Sequence, residues 1–122
     1  MSDPKCRILC VDDHFDTSEM LQVLLSESDY AVQTAGTMEE ACALAAKSTF
    51  DLYVLDKRLP DGTGMDLMMQ LRAISNVPGI AISGFGNNSD IKRSLQAGFS
   101  EHLIKPIKLE KLEAAIERAI AG

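Results

Sequence analysis

Five residues with reactive or polar side chains stand where short apolar runs end. Asp12 and Asp13 follow the run from Cys6 to Val11, Asp56 closes the run 51–56, Ser83 closes the run 79–83, and Lys105 follows the run 100–104. Apolar runs of this length, bounded by turn residues, are typical of buried strands. Because ligand sites of parallel sheets lie at the carboxyl ends of the strands, we expect the five side chains to converge.

The chemistry expected of this group is phosphoryl transfer. Asp12, Asp13 and Asp56 would repel one another and raise one another's pKa values. A divalent cation relieves that repulsion, and carboxylate oxygens suit Mg²⁺. Lys105 would add a second positive charge to stabilise a phosphoryl group during transfer, and the Ser83 hydroxyl could bond a phosphoryl oxygen. The pattern predicts that Asp56 is a nucleophile that accepts a phosphoryl group.

Each of these residues also has an ordinary structural interpretation when taken singly. Asp12 and Asp13 could cap the following helix, and Asp56 could begin a turn. Ser83 could bond to backbone at a strand end, and Lys105 could be a solvated side chain. Their joint placement at successive strand ends favours the functional interpretation.

The segments between the strands carry apolar residues at helical spacing. Five helices are predicted: the first covers 16–28, the second begins at Thr37, and the third ends at Ile74. The fourth begins at Asn88 or Ser89, and the fifth runs from Leu109 to the chain end. A further strand is predicted over 31–35. We expect Asp16, Thr17 or Ser18 to cap the first helix, and Ile91 and Leu95 to anchor the fourth. Strand and helix alternate five times, which predicts a parallel sheet with helices on both faces.

Length, composition and charge restrict the class of protein. The 122 residues are 46% hydrophobic and 25% charged, which is ordinary for one globular domain over 1–122, with 1–5 as an N-terminal tail. A net charge of −6 argues against direct nucleic-acid binding. No apolar stretch approaches the roughly 20 residues of a membrane span, so no membrane insertion is expected. Three cysteines without disulfide or metal spacing fit reduced thiols in a cytoplasmic protein.

Four motifs give the chain a resemblance to the receiver domain of two-component response regulators. They are Val11-Asp12-Asp13, Leu55-Asp56 with Leu59-Pro60-Asp61-Gly62-Thr63-Gly64, Ile82-Ser83-Gly84 and Lys105-Pro106. The resemblance runs from about Arg7 to Ala121. It implies a flavodoxin-like (βα)5 fold, which is a doubly wound, five-stranded parallel α/β sheet in the order 2-1-3-4-5, with a cis peptide before Pro106.

The same resemblance implies a role for each residue of the site. Asp56 would be phosphorylated by a partner histidine kinase or histidine phosphotransfer domain. Asp13, Asp56 and the backbone carbonyl of Arg58 would ligate Mg²⁺, and Asp12 would act through a metal-bound water. Lys105 would pair with a phosphoryl oxygen.

The resemblance also implies a switch. Ser83 would move onto a phosphoryl oxygen and alter the face formed by the fourth helix, the fifth strand and the fifth helix, through which a homodimer is also expected. The fifth-strand switch position, Tyr or Phe in many relatives, is His102 here. Either the His102 side chain turns inward when Ser83 moves, or His102 is a partly exposed strand residue without such a role. His14 and Arg58 flank the site, either to tune dephosphorylation or as solvated side chains. The segments 82–86 and 97–107 resemble receivers fused to hybrid histidine kinases.

Several function classes stay open on the sequence alone. The favoured one is a signalling module that catalyses its own phosphorylation and slow dephosphorylation and is not a classical enzyme. A haloacid-dehalogenase type phosphatase would have an acid where Arg58 stands. A flavodoxin-like nucleotide carrier would have a glycine-rich loop where Asp12-Asp13-His14 stands. A pseudo-receiver that only docks partners would not need a complete acceptor site. The sequence indicates neither the cognate kinase, nor the output, nor whether the chain is a stand-alone regulator or part of a larger protein.

Overall fold

A computed structural model describes residues 6–84 and 88–121, with side chains described outside 88–90. The predicted tail 1–5 and the side chains expected to cap the fourth helix lie outside the described residues. The strands of the main sheet are β1 Cys6–Val11, β2 Tyr30–Ala35, β3 Leu52–Asp56, β4 Gly79–Ser83 and β5 Glu101–Ile104. The helices are α1 Phe15–Ser26, α2 Met38–Lys47, α3 Gly64–Ile74, α4 Asn88–Gln96 and α5 Leu109–Ala121. Within the described ranges, none of these helices is both long and apolar enough to cross a bilayer.

The main sheet is parallel and has the strand order β2-β1-β3-β4-β5, which confirms the predicted fold and order. Every residue of β3 and β4 is buried, as expected of central parallel strands that helices cover on both faces. Helices α2 and α3 pack on one face, through residues such as Leu67 and Leu71. Helices α1 and α5 pack on the other, through residues such as Leu21 and Leu112. The strands therefore form a rigid platform whose carboxyl ends lie side by side.

The start of α1 differs from the prediction. The helix begins at Phe15, so Asp16, Thr17 and Ser18 lie inside it and none of them is its cap. His14 occupies the N-cap position without a capping side-chain hydrogen bond. The reason is that the chain turns into the helix directly after the acidic pair, which leaves His14 beside those carboxylates.

The start of α2 is capped twice. Thr37 Oγ1 accepts a hydrogen bond from the Glu40 N–H at 3.1 Å, a typical N-cap. The Asp61 carboxylate accepts from the N–H groups of Met38 at 2.8 Å and Glu39 at 3.1 Å. The loop that follows β3 is thereby fixed to the helix that precedes β3.

That loop contains a short antiparallel hairpin, formed by Arg58–Leu59 and Gly62–Thr63, where the sequence predicted only turns. Thr63 then caps α3, because its side chain accepts from the Asp66 N–H at 3.1 Å. The hairpin carries the chain back past the end of β3 before α3 begins.

Helix α4 is anchored differently from the prediction. Leu95, expected to be an apolar anchor, is 48% exposed, and Ile91 is half-buried. Ser94 is fully buried instead. Gly98 follows the helix with φ +109°, a left-handed conformation that favours glycine. The peptide before Pro106 is cis, as the resemblance implied.

Candidate functional site

The residues predicted to form a site lie together at the carboxyl edge of the sheet. Asp56 pairs with Ile82 in the sheet register, so Ser83 lies one residue beyond that level on β4. Ser83 pairs with Ile104, and the Lys105 N–H donates to the Ser83 carbonyl at 2.7 Å. Regular parallel pairing therefore suffices to bring these side chains to one edge.

Three carboxylates and one ammonium form the centre of the site. The side chains of Asp12 and Asp56 are 1% and 7% exposed, whereas that of Asp13 is 40% exposed. Lys105 Nζ lies 2.8 Å from Asp12 Oδ2 and 3.6 Å from Asp56 Oδ2. The first contact is an ion pair rather than an aligned hydrogen bond, since the buried Asp12 Oδ2 accepts none from the described residues.

This charge balance shifts the pKa values in opposite directions. Burial and the charge of Asp12 raise the pKa of Asp56 above its ordinary value, and Lys105 only partly opposes them. Burial also acts to raise the pKa of Asp12, but the adjacent ammonium of Lys105 and the hydrogen bond from the His14 N–H outweigh it, so that pKa is lowered. Burial opposes the charge of Lys105, yet the two carboxylates raise its pKa. Lys105 therefore stabilises the charged form of Asp12 more than that of Asp56.

His14 belongs to the same cluster of charges. Its Nδ1 lies 3.0 Å from Asp12 Oδ1, 3.3 Å from Asp13 Oδ1 and 3.9 Å from Asp56 Oδ2. It is also 3.5 Å from Lys105 Nζ. Although the imidazole is 66% exposed, its ring nitrogen faces the acids, which favours the flanking role over a freely solvated side chain.

The donor set fits a hard divalent cation. One ligand atom from each of Asp12, Asp13, His14 and Asp56 lies within 4.8 Å of all the others. Carboxylate oxygens are the preferred ligands of Mg²⁺, and one lysine does not neutralise three acids. The residues present therefore suit the ion that the sequence predicted.

The loop after β3 is held against the site by backbone contacts. The Arg58 N–H donates to Asp56 Oδ1 at 3.3 Å, and the Lys57 N–H donates to the Ile82 carbonyl at 2.8 Å. The Gly64 N–H donates to the Lys57 carbonyl at 2.9 Å. A Cβ atom at Gly64 would overlap the Asp56 carbonyl oxygen, so glycine permits this close approach.

A cavity of about 920 Å³ opens above these groups. Its lining includes Asp13, Asp56, Ser83 and Lys105, and Phe15 lies at its rim with 75% exposure. The cavity makes the otherwise buried Asp56 carboxylate accessible from outside the protein.

The predicted switch residue Ser83 contacts His102, which in turn contacts Ser94. Ser83 Oγ lies 2.7 Å from His102 Nε2, and the other ring nitrogen, Nδ1, lies 3.0 Å from Ser94 Oγ. His102 was expected either to turn inward when Ser83 moves or to be a partly exposed strand residue; in the structure it is half-buried and its ring already faces Ser83. Ser94 was not predicted to take part at all.

The family model for the response regulator receiver domain matches residues 8–117, which is most of the chain. The chain belongs to this family. Membership confirms the resemblance found in the sequence and makes the chain a receiver domain of a two-component response regulator.

Two curated relatives show the extent of the match. Response regulator protein PilR of Pseudomonas aeruginosa is 32% identical over 115 residues, covering 93% of this chain and 26% of PilR. The probable transcriptional regulator ycf27 of Porphyra purpurea is 32% identical over 120 residues, covering 98% of this chain and 49% of ycf27. The chain thus spans between about a quarter and a half of these relatives.

Solved structures of response regulators and receiver domains share the fold over most of their length. A two-component response regulator from Clostridium difficile superposes with a TM-score of 0.91 at 27% identity, covering 96% of this chain and 97% of that one. The non-phosphorylated HemR receiver domain from Leptospira biflexa gives a TM-score of 0.85 at 34% identity, covering 97% and 96%. The beryllofluoride-activated NtrC4 receiver domain dimer gives 0.89 at 30% identity, covering 94% and 96%.

Proposed function

We propose that this receiver domain accepts a phosphoryl group on Asp56 from a phosphohistidine of a partner histidine kinase or histidine phosphotransfer domain. The observation that carries the proposal is the place of the Asp56 carboxylate. It ends the central strand, is 7% exposed, and faces a cavity that it shares with Asp13, Ser83 and Lys105. A carboxylate that is poorly solvated and only partly neutralised is suited to form a covalent intermediate with a phosphoryl group.

The transfer exchanges one bond to phosphorus for another. A carboxylate oxygen of Asp56 attacks the phosphorus, an O–P bond forms, and the N–P bond to the donor imidazole breaks with its electron pair returning to nitrogen. Lys105, 3.6 Å from Asp56 Oδ2, would pair with a phosphoryl oxygen. The Ser83 hydroxyl would donate to another. Later attack by water returns Asp56 and releases phosphate. The domain thus acts on itself and is not a classical enzyme.

We assign Mg²⁺ to Asp13, Asp56 and the backbone carbonyl of Arg58, with Asp12 acting through a metal-bound water. When bound, the ion supplies positive charge to the phosphoryl oxygens. Two observations support the assignment: the crowding of carboxylate oxygens and the hairpin, which holds Arg58 backbone within hydrogen-bond distance of Asp56. Asp13, the most exposed of the three acids, offers the most accessible ligand.

The output surface is proposed to be the face formed by α4, β5 and α5, switched through Ser83 and His102. Three large apolar side chains are exposed on these elements, namely Leu95 at 48%, Ile104 at 41% and Ile120 at 47%. Such a surface supports a homodimer. The similar NtrC4 receiver is named as a dimer in its beryllofluoride-activated form.

We place the receiver in the cytoplasm, where the thiols of its cysteines would stay reduced. A direct role in nucleic-acid binding is not proposed, because the net charge is −6. The chain spans about half of ycf27, a probable transcriptional regulator, so a transcriptional output would require further segments.

The test is phosphorylation by a small donor. Acetyl phosphate and Mg²⁺ should add one phosphoryl group to the wild-type chain, measured by intact mass under mildly acidic conditions. Asp56→Asn should gain none, while Asp61→Asn, a matched loss of one carboxylate in the same loop, should still gain it. Asp13→Ala should need more Mg²⁺ for the same labelling. Equal labelling of Asp56→Asn and wild type would contradict the proposal.

A further inference from the structure

The histidine on β5 uses both of its ring nitrogens. His102 Nε2 lies 2.7 Å from Ser83 Oγ on β4, and Nδ1 lies 3.0 Å from Ser94 Oγ on α4. Ser83 is 4% exposed and Ser94 is 0% exposed. A continuous chain of hydrogen-bonding groups therefore runs from the edge of the proposed phospho-acceptor site to the inner face of α4.

The chemistry of imidazole gives this chain a direction. A neutral imidazole has one N–H donor and one acceptor nitrogen, and a serine hydroxyl has one hydrogen to donate. When the Ser83 hydroxyl donates to Nε2, the Nδ1–H donates to Ser94. When Ser83 gives its hydrogen to another acceptor, Nε2 must carry the proton to keep this contact, and Nδ1 then accepts from Ser94. The partner of Ser83 thus determines which tautomer of His102 the chain favours.

Helix α4 is placed to respond to such a change. Its inner face carries the buried Ser94, while its apolar residue Leu95 is 48% exposed and Ile91 is half-buried. The Ser94 carbonyl also accepts from the N–H groups of Ala97 at 3.1 Å and Phe99 at 3.1 Å, beyond the end of the helix. Because buried polar groups are costly when they lose a partner, a change at Ser94 affects the docking of this segment.

We propose that Ser94 is the positioning residue through which the state of Ser83 reaches α4, by way of His102. In the structure the three side chains hold α4 against β5. When the Ser83 hydroxyl turns to a phosphoryl oxygen, the tautomer of His102 changes or its contact with Ser83 is lost, and the Ser94 contact changes with it. This coupling rests on the proposed function at Asp56, whereas the resting contact does not.

The resting contact is tested first, without phosphoryl donor. The ¹⁵N shifts of the His102 ring should show one dominant tautomer in the wild type and a mixture in Ser94→Ala. Hydrogen exchange at the Ala97 amide, which bonds within this turn, should become about tenfold faster in Ser94→Ala. Gln96→Ala, an exposed change on the same helix, should leave both observations as in the wild type.

The coupling is tested with beryllofluoride and Mg²⁺, which mimic the phosphorylated state. In the wild type the amide shifts of α4 should respond and the His102 ring shifts should change. In Ser94→Ala the response of α4 should fall by more than half, although acetyl phosphate still labels the chain. In a His102→Phe background, Ser94→Ala should have no further effect on the response.

The outcomes separate this inference from the proposal on Asp56. If Ser94→Ala has the same His102 ring shifts and the same amide exchange rate as the wild type, the hydrogen-bond chain is refuted, whatever happens at Asp56. A normal α4 response in Ser94→Ala would overturn the coupling. Failure of the wild type to be labelled would instead refute the proposed function, and the coupling that rests on it, while leaving the resting contact to be judged by its own measurement.

Discussion

Lys105 is the cation in contact with the buried carboxylates, so its replacement by methionine tests the charge balance of the site. Its Nζ lies 2.8 Å from Asp12 Oδ2 and 3.6 Å from Asp56 Oδ2. Breaking a fully buried ion pair by removing one partner costs about 3–5 kcal/mol. Lys105 is 19% exposed and the cavity admits water, so we expect a smaller cost, about 2–3 kcal/mol at neutral pH. Methionine retains much of the apolar stem, so packing contributes little.

The assay is urea unfolding followed by circular dichroism, with a chelator present to remove divalent ions. With a denaturant slope of about 1–3 kcal/mol per molar, Lys105→Met should lower the midpoint by about 1–3 M. Lys108→Met removes an exposed lysine three residues away and should change the stability by less than about 0.5 kcal/mol. Adding Mg²⁺ should stabilise Lys105→Met more than the wild type, because the ion replaces the missing positive charge.

Two results would refute this reasoning. If Lys105→Met unfolds at the same urea concentration as Lys108→Met, Lys105 does not stabilise the buried acids. If Mg²⁺ stabilises the wild type and Lys105→Met equally, the ammonium and the ion do not act on the same carboxylates.

Three further predictions follow from burial and close contacts. Because the pKa of Asp56 is raised in the folded protein, protonation of Asp56 stabilises the fold. This contribution is fully present at pH values below the ordinary pKa of 3.8, and it is lost as the pH rises through the pKa of the folded state. Asp56→Asn should therefore be more stable than wild type at neutral pH without Mg²⁺, with a gap that closes in acid, and equal stability at both pH values would contradict it. Gly64→Ala should cost about 1–3 kcal/mol, since the new methyl group overlaps backbone, whereas Gly36→Ala, with open space around it, should be nearly neutral in the same unfolding assay. Burial raises the pKa of Cys10 to about 12, and its side chain is fully buried. Iodoacetamide should therefore alkylate the half-buried Cys42 first, and equal alkylation rates of the two thiols, measured by mass spectrometry, would contradict this prediction.

The sheet and the main residues of the site could be predicted because βα units repeat one geometry. Each apolar run ends at the same edge, so the residue type at each strand end indicates the chemistry of that edge. Asp56 and Ser83 were found in this way, and Lys105 follows β5 in the same position. No long-range contact had to be known to place them together.

Features that depend on the docking of one element against another could not be predicted in this way. Ser94 resembles a solvated helix serine in the sequence, and its burial follows from the rotation of α4 relative to β5. Leu95 was expected to face inward for its apolar character, but the helix presents the serine to His102 instead. The proximity of His14 to the acids likewise depends on where α1 begins.

The contacts of the loop residue Asp61 also could not be predicted from the local sequence. The sequence Pro60-Asp61-Gly62 is typical of a turn, and a hairpin turn is what the structure contains. The partners of its carboxylate, however, are backbone N–H groups 23 and 22 residues earlier, at the start of α2. These hydrogen bonds lower the pKa of Asp61, the Met38 N–H having the largest effect. Such a cap between distant segments leaves no pattern in the local sequence.

The most direct test of the central claim locates the phosphoryl group on the chain. After reaction with acetyl phosphate and Mg²⁺, borohydride reduces an aspartyl phosphate to homoserine, whose position peptide mass spectrometry identifies. We expect homoserine at position 56, dependent on Mg²⁺ and absent without the donor. Homoserine at position 12 or 13, or a phosphorylated chain with no homoserine at position 56, would contradict it.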